Sequence, residues 1–275
     1  MATRTAFPAR VSARMTSALK RFQPILTSAL ARDVNESDTV SIVTDLLADV
    51  FGYDKYHEVT SEHQIRGTFC DLAVEIEGQL RLLLEVKAIG LDLKEKHLRQ
   101  AVNYASNQGI DWIILTNGIA WQVYKVDFAK PIKEDLVLEF NLLEVNPRNT
   151  EELERLYLVT REGVMKSALP GFYTRKQATN RFIIGAIALS DPVLSIMRRE
   201  LKRLAPDIKV TTDQIRDVLL YEVLKREVAQ GEKAEEAMKK VQKSMGKQTR
   251  GRKPPSPEEE SESEGEAPII QPPPD

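Results

Sequence analysis

Residues 69–76 and 80–88 read FCDLAVEI and LRLLLEVKA, and Glu77-Gly78-Gln79 lies between them. The even-numbered residues of both segments are apolar, and this two-residue period predicts two β-strands joined as a hairpin. Because side chains alternate along a strand, Glu85 and Lys87 are predicted to share one face of the second strand. The second strand therefore carries a carboxylate and an ammonium side chain next to each other on one face.

The apolar residues also predict the register of this hairpin. Directly paired residues lie on the same side of a sheet, so the two apolar sets must pair with each other. A three-residue loop at 77–79 satisfies this condition, whereas a two-residue Gly78-Gln79 loop would mix the faces. The predicted pairs are Ile76 with Leu80, Glu75 with Arg81, Ala73 with Leu83, and Asp71 with Glu85.

The last of these pairs places two carboxylates opposite each other. Asp71 and Glu85 would repel unless a cation neutralised them. Two carboxylates suit Mg²⁺ or Mn²⁺, with water completing the coordination. Such a metal can activate water and bind a phosphate oxygen, while Lys87 orients the water and stabilises the charge on phosphorus. A surface strand with mixed charges explains the same residues, because D-x13-E-x-K is by itself a weak pattern.

The flanking sequence predicts further helices and strands. In order, they are a helix capped by Asn35 or Ser37 and ending near Val50, a strand at 56–65, the hairpin, a helix at 94–107, a strand at 112–115 and, after the Asn117-Gly118 turn, a strand at 120–126. The cap, the hairpin turn and the alternation each have a known signature. This order predicts an α/β sandwich around a mixed sheet.

Residues 35–126 resemble the N-terminal nuclease domain of type I restriction-enzyme R subunits, a member of the PD-(D/E)XK superfamily. The resemblance lies in the order of the elements and in NESDTVSIVTDLLADVFGYD, SEHQIRGTFCDLAVEI, LLLEVKAIG, LRQAVNYA and IILTNGIAWQVYK. It implies a restriction-endonuclease-like sandwich, with helices flanking a mixed central sheet. It also implies a metal-dependent endonuclease that hydrolyses the phosphodiester bonds of DNA, with Mg²⁺ or Mn²⁺ as cofactor.

The same resemblance implies roles for individual acids. Asp71 and Glu85 would bind the metal, and Lys87 would be the catalytic lysine. Glu36 matches a glutamate of the first helix that often completes the site, although an acid in a first helical turn is favourable in any case. Glu62 is a further candidate acid.

Gln100 and Tyr104 match the Q-x-x-x-Y motif of the family. Four residues apart on a helix, they are predicted to share a face. Their implied role is to order the active site or to hold DNA near it. A polar helix edge is the alternative explanation.

One departure from the family concerns ATP. Type I R subunits carry a helicase motor, but this sequence contains no G-x-x-x-x-G-K-[ST] phosphate loop. We therefore expect a nuclease without its own ATP motor rather than a complete R subunit. The alternative is a catalytically silent nuclease fold that binds DNA or regulates another protein, although the intact acid–acid–lysine set favours the enzyme.

Composition divides the chain into four parts. Residues 1–34 are basic and predicted to form a helical lead-in, with an organellar transit peptide as the alternative. Residues 35–148 form the predicted nuclease domain, and 149–246 are predicted to be helices only. Residues 247–275, rich in Pro, Glu and Ser, are predicted to be disordered.

The helical region contains a candidate DNA surface. Residues 161–203 hold nine basic and three acidic side chains, with Phe172, Tyr173 and Phe182 among them, a composition that can contact phosphates and stack bases. Solvated helix faces over a small core, or a surface for a homodimer or a partner subunit, explain the same residues. The residues predicted to form the DNA patch are Arg198, Arg199, Lys202 and Arg203.

Composition also limits the class of protein. With 275 residues and a net charge of −2, a DNA surface must be a local patch rather than a property of the whole chain. The single cysteine, Cys70, excludes an intramolecular disulfide and predicts a small buried strand residue in a cytoplasmic protein. No apolar run approaches the roughly 20 residues that span a bilayer, so we expect no membrane partner.

Overall fold

The computed structural model describes residues 7–65 and 68–250, without the side chains of 62–69, 107–108 and 246–250. The chain divides into two compact units, one up to Arg175 and one from Lys176. The first unit contains α1 (Ala9–Ala31), α2 (Glu36–Asp49), β1 (Val59–Ile65), β2 (Thr68–Ile76), β3 (Gln79–Val86), α3 (Glu95–Gln108), β4 (Trp112–Thr116), β5 (Ala120–Asp127), β6 (Lys133–Asn141), α4 (Thr150–Tyr157), α5 (Arg161–Met165) and most of α6 (Ala168–Ala178). The second contains α7 (Arg181–Ala188), α8 (Asp191–Leu204), α9 (Thr212–Val218), a π-helical turn (Leu219–Val223), α10 (Arg226–Ala229) and α11 (Glu232–Arg250).

The six strands form one mixed sheet, in the order β1-β2-β3-β4-β5-β6. β3 and β4 are parallel and α3 connects them, whereas the other neighbours are antiparallel. Helices cover both faces of the sheet. The prediction of a restriction-endonuclease-like α/β sandwich with a mixed central sheet, followed by a small all-helical region, is therefore confirmed.

Each face of the sheet has its own core. Leu72, Val74 and Leu84 pack with α1 and α2 on one face, and Ala73 and Leu83 pack with α3 on the other. This alternation follows from the strand period. Both faces are covered, so side chains of both parities are buried around the parallel β3–β4 pair.

The β2–β3 register matches the prediction in the centre of the hairpin and differs at its turn. Ala73 pairs with Leu83, as predicted. Ile76, however, pairs with Gln79 instead of Leu80, and a bulge on β3 restores the central register. The loop is thus the two-residue turn Glu77-Gly78, with positive φ at both residues (54° and 71°), as hairpins with a two-residue turn prefer. The predicted Ile76–Leu80 and Glu75–Arg81 pairs are wrong.

The basic lead-in packs as part of the first unit. In α1, Val11, Met15, Leu19 and Leu26 are fully buried against the core that includes α2. The helix continues through Pro24, which lies on its exposed side. There, water can reach the carbonyl that the missing N–H leaves unpaired.

The boundary of the helical region differs from the prediction. Leu153, Leu156 and Leu169, which belong to α4 and α6, pack in the first core. The compact second unit begins at Lys176 rather than at 149, because these helices bury their apolar faces on the sheet domain.

The second unit, up to the last described residue, is all helical. Its core is small and contains Ala186, Ala237 and Val241. Within the described residues, no single helix is long and apolar enough to cross a membrane; only the bent pair 168–188 and 191–204 meets the length and composition criteria together.

Candidate active site

The candidate site lies where β2 and β3 run side by side next to the first turn of α2. Leu72 pairs with Leu84, so Asp71 and Glu85 are the next residues of the two strands beyond this pair. The backbone N–H of Val86 donates a 2.7 Å hydrogen bond to Asp71 Oδ2. The Asp71 carboxylate is thereby fixed across the end of β3.

Lys87 directly follows the last residue of β3. Its backbone N–H donates a 2.8 Å hydrogen bond to the carbonyl of Thr116 at the end of the parallel strand β4. Its Nζ lies 2.9 Å from Glu85 Oε1 and 3.3 Å from Glu36 Oε1. Lys87 therefore joins the two acids through one ammonium group.

Glu36 reaches the site from the start of α2. Asn35 caps this helix, and its side chain accepts a 2.9 Å hydrogen bond from the Asp38 N–H. The cap fixes the first turn, from which the half-exposed Glu36 carboxylate extends to Lys87. The structure thus brings together Asp71, Glu85, Lys87 and Glu36, which lie far apart in the sequence.

Glu85 is the most unusual residue of the site. Its carboxylate is buried, and Lys87 Nζ lies 2.9 Å from its Oε1; no other described donor reaches either oxygen. This contact with the Lys87 ammonium lowers the pKa of Glu85. Burial raises the pKa of Glu85 from 4.5 to about 7, in spite of Lys87, and the neighbouring Asp71 adds to the rise. Because the pKa remains raised, Lys87 offsets only part of the cost of burying this carboxylate.

The same surroundings also shift the pKa values of Asp71 and Lys87. Burial raises the pKa of Asp71, against the opposing effects of the Val86 N–H and of Lys87. Burial alone would lower the pKa of Lys87, but the carboxylates of Glu85, Asp71 and Glu36 outweigh it and raise that pKa. Lys87 therefore remains charged at neutral pH.

The donor set fits a hydrated divalent cation better than a tightly ligated one. Within the described ranges, no three His, Cys, Asp or Glu side chains converge closely enough to hold a metal ion among them. Asp71 and Glu85 offer two carboxylates; Oε1 of Glu85 lies 2.9 Å from Lys87 Nζ, and Oδ2 of Asp71 accepts from the Val86 N–H. Mg²⁺ commonly keeps several water ligands and binds through one or two carboxylates.

The two residues of the Q-x-x-x-Y motif, Gln100 and Tyr104, are buried to different extents. Tyr104 is fully buried in the core under α3, among Leu98, Ala101 and Ala105, whereas Gln100 is exposed. Tyr104 supports the sheet close to Cys70, a buried thiol whose pKa burial raises to about 12. The prediction of a small buried strand residue at Cys70 is confirmed. The Glu62 side chain lies outside the described residues.

Sequence reasoning identified Asn117 only as part of a turn. Its buried side-chain amide accepts hydrogen bonds from the N–H groups of Ile119 and Ala120 and donates to the carbonyls of Ile89 and Leu91. It thus connects the β4–β5 turn to the loop that leaves β3 directly after Lys87. The signal in the sequence was the Asn-Gly pair, which predicts a turn and not a contact with a distant loop.

In the second unit, the α8 basic patch, defined by Arg198, Arg199, Lys202 and Arg203, is exposed as predicted. Glu200 pairs with Arg203 at 2.9 Å and lies 3.4 Å from Arg199, which reduces the local charge.

The aromatic residues and one arginine of the 161–203 stretch serve packing and ion pairing. Phe172 and Tyr173 pack on the first core, and Phe182 packs on the core of the second unit. Arg161 forms an ion pair with Glu58 at 2.7 Å. Part of each ring contributes to the core of its own unit, and base stacking by these half-buried aromatics stays a prediction.

Comparison with known proteins finds a family match in the sheet region. Residues 42–137 match the family model of the type I restriction enzyme R protein N terminus (HSDR_N), about a third of the chain. The match spans α2 from Ile42 to the middle of β6 and includes Asp71, Glu85 and Lys87. No curated protein matches the chain, and no solved structure does. The family indicates a nuclease-type function of restriction enzymes, with DNA as the implied substrate.

Proposed function

From the match of residues 42–137 to the type I restriction enzyme R protein N terminus, we propose that this chain is a Mg²⁺- or Mn²⁺-dependent DNA endonuclease. It hydrolyses phosphodiester bonds and acts on DNA in the cytoplasm. Asp71 and Glu85 bind the metal, Lys87 is the catalytic lysine, and Glu36 supports it.

The observation that carries this proposal is the state of Glu85. Its carboxylate is fully buried beside the Asp71 carboxylate with the Lys87 ammonium as its ion-pair partner, and a buried charge pair of this kind is weak evidence for a purely stabilising role. Perturbed ionisable groups of this kind cluster at functional sites. A divalent cation would compensate the carboxylate charge that Lys87 alone does not balance.

The residues of the site divide the chemistry among them. A bound divalent cation would polarise a phosphate oxygen and acidify a coordinated water. Asp71, fixed by the Val86 N–H, and Glu85 would hold that cation at the end of the hairpin. Hydrolysis forms a bond from water oxygen to phosphorus, releases the water proton and breaks the bond to the leaving oxygen, which takes up a proton.

Lys87 would act on the phosphate and on the attacking water. Its ammonium group remains charged because three carboxylates surround it. It can donate hydrogen bonds to the water and to the phosphate oxygen on which charge develops. When no divalent metal is bound, the Lys87 ammonium compensates the Glu85 carboxylate, which explains the 2.9 Å contact between them.

The α8 basic patch is proposed as a DNA-binding surface of the second unit. All four residues are exposed, and Arg198 and Lys202 lie one helical turn apart on the same side of α8. Such a patch contacts phosphates irrespective of sequence, so its contribution to affinity must fall with added salt. The second unit also offers four exposed lysines on α11 for a matched comparison: Lys233, Lys239, Lys240 and Lys243.

A cleavage assay tests the proposed function. The purified chain is incubated with supercoiled plasmid, linear duplex, single-stranded DNA and RNA, each with Mg²⁺, Mn²⁺ or EDTA. We expect the nicking or linearisation of DNA with either metal and none in EDTA. Binding to DNA without cleavage under any metal would instead support a catalytically silent nuclease fold.

A further inference from the structure

Every hydrogen-bonding group of the Asn117 side chain is used. Oδ1 accepts from the Ile119 N–H at 3.1 Å and from the Ala120 N–H at 2.7 Å, which closes the turn between β4 and β5. Nδ2 donates to the Ile89 carbonyl at 3.2 Å and to the Leu91 carbonyl at 3.0 Å. Only 9% of this residue is exposed, so a lost partner would leave a buried polar group unpaired.

The turn that contains Asn117 also contacts the elements that carry Lys87 and Glu36. The preceding residue, Thr116, accepts the backbone hydrogen bond of Lys87 at 2.8 Å. The following residue, Gly118, packs on α2: a Cβ built on it would lie 3.6 Å from Thr39 Cγ2 and 3.8 Å from Val43 Cγ2. The turn therefore lies between the end of β3 and the helix that begins with Glu36.

We propose that Asn117 is a positioning residue that fixes Lys87 relative to Glu85 and Glu36. It acts through the loop after β3, because its amide holds the carbonyls of Ile89 and Leu91 while the main chain of Lys87 is held by Thr116. The inference rests on the proposed function for its catalytic consequence, but the placement of Lys87 can be measured without any cleavage.

The amide is the chemical requirement at this position. The asparagine oxygen accepts both hydrogen bonds of the turn, and its NH₂ group donates both hydrogen bonds to the loop. Aspartate can still accept from the turn but cannot donate to the loop. In Asn117→Asp, a carboxylate oxygen would face the two carbonyl oxygens of the loop and repel them. The turn would remain closed while the loop, and with it Lys87, would be released.

The decisive variant is therefore Asn117→Asp, with Asn141→Asp as its matched control. The Asn141 side chain, at the end of β6, accepts from the Leu143 N–H at 3.0 Å and donates to Glu144 Oε1 at 2.9 Å. It makes the same kind of local turn contact, but among the described residues its side chain does not bond to 87–91.

Two measurements that do not depend on cleavage come first. Lys87 is labelled with an amine-reactive acylating reagent and followed by mass spectrometry, and hydrogen exchange is measured over residues 87–91. We expect several-fold faster labelling and faster exchange in Asn117→Asp and no change in Asn141→Asp. Unchanged labelling and exchange in Asn117→Asp would overturn the proposal, whether or not the chain cleaves DNA.

Steady-state cleavage then measures the catalytic consequence. A displacement of about 1 Å in a catalytic group can lower the rate roughly 100-fold, so we expect kcat of Asn117→Asp to fall about 10- to 100-fold with KM for DNA nearly unchanged. A rise in KM alone would contradict a positioning role. Asn117→Ser replaces it if the aspartate variant does not fold, since serine keeps a turn acceptor and cannot reach the loop.

Discussion

The buried Glu85 carboxylate gives the metal-free protein a pH dependence that one substitution should remove. Its pKa is raised from 4.5 to about 7 in the folded state, so the folded protein binds this proton more tightly than the unfolded chain does. The stability that this proton provides is complete below pH 4.5 and is lost as the pH rises through 7. Glu85→Gln has no ionisable group at this position, so it should not lose this part of its unfolding free energy as the pH rises.

The size of the effect follows from the pKa. One pKa unit corresponds to about 1.4 kcal/mol, so the ionisation of Glu85 should cost less than about 1 kcal/mol of unfolding free energy at pH 5 and about 3 kcal/mol at pH 8. The advantage of Glu85→Gln over wild type in EDTA should therefore grow by roughly 2 kcal/mol between these pH values, or about 5–10 °C in Tm. A constant offset from the shape or polarity of the glutamine does not affect this difference.

The assay is urea denaturation of both proteins in EDTA at half-unit steps from pH 5 to pH 8. Glu75→Gln is the control, because Glu75 lies on the neighbouring strand β2 with its side chain exposed. Its stability should follow that of the wild type at every pH. If the advantage of Glu85→Gln is the same at pH 5 and pH 8, Glu85 does not ionise in a buried site and the reasoning from burial fails.

Three further predictions concern the metal response, the α8 basic patch and the packing of α5. Saturating Mn²⁺ should raise Tm of the wild type more at pH 8 than at pH 5, because protons compete with the metal for Glu85, and the response should largely disappear in Glu85→Gln. Charge reversal of the α8 basic patch should weaken DNA binding and lower the slope of log Kd against log salt by roughly 2 to 4, at about 0.9 per lost phosphate contact, whereas reversal of the four α11 lysines should have less effect. Gly163→Ala should destabilise the first unit by about 1–3 kcal/mol in urea denaturation, because its Cβ would lie 2.0 Å from the Tyr157 carbonyl oxygen. Gly171→Ala, whose Cβ meets open space, should be neutral or slightly stabilising; equal stability of the two alanine variants would contradict the packing of α5 on α4.

The central hairpin and the helix α2 could be predicted because their signals are local. Alternation along β2 and β3 reflects a sheet whose two faces have different surroundings, and the Asn35 cap needs only the three residues that follow it. The proximity of Asp71 and Glu85 at this end of the hairpin followed from these signals, since both lie next to the Leu72–Leu84 pair. The site residues were therefore predictable as far as they depend on strand period and register.

The turn of the hairpin was mispredicted for a specific reason. The apolar alternation excludes a two-residue loop at Gly78-Gln79. The chain instead turns at Glu77-Gly78, with positive φ at both positions. The turn puts the strands out of register by one residue, and the bulge on β3 corrects it. A bulge leaves no period in the sequence, because it depends on the balance between turn geometry and core packing.

Long-range packing explains the other differences. β6 was not predicted as a strand because its first four residues are exposed and show no alternation. Tyr104 and Gln100 lie on one side of α3, but only the packing of that helix on the sheet decides which of them is buried. The assignment of α4 and most of α6 to the first unit likewise depends on apolar surface that the sheet domain provides.

The most direct test of the account is single-turnover cleavage of duplex DNA by Lys87→Ala, with Lys133→Ala as the control for an exposed lysine of β6. Loss of one donor to the developing phosphate charge lowers rates roughly 100- to 1,000-fold. We therefore expect Lys87→Ala to lose cleavage by at least that factor while it keeps the Mn²⁺-induced rise in Tm, since Lys87 is not a metal ligand. Glu85→Ala should lose both. Cleavage by Lys87→Ala at the rate of the wild type and of Lys133→Ala would contradict the assignment of this site as the nuclease centre.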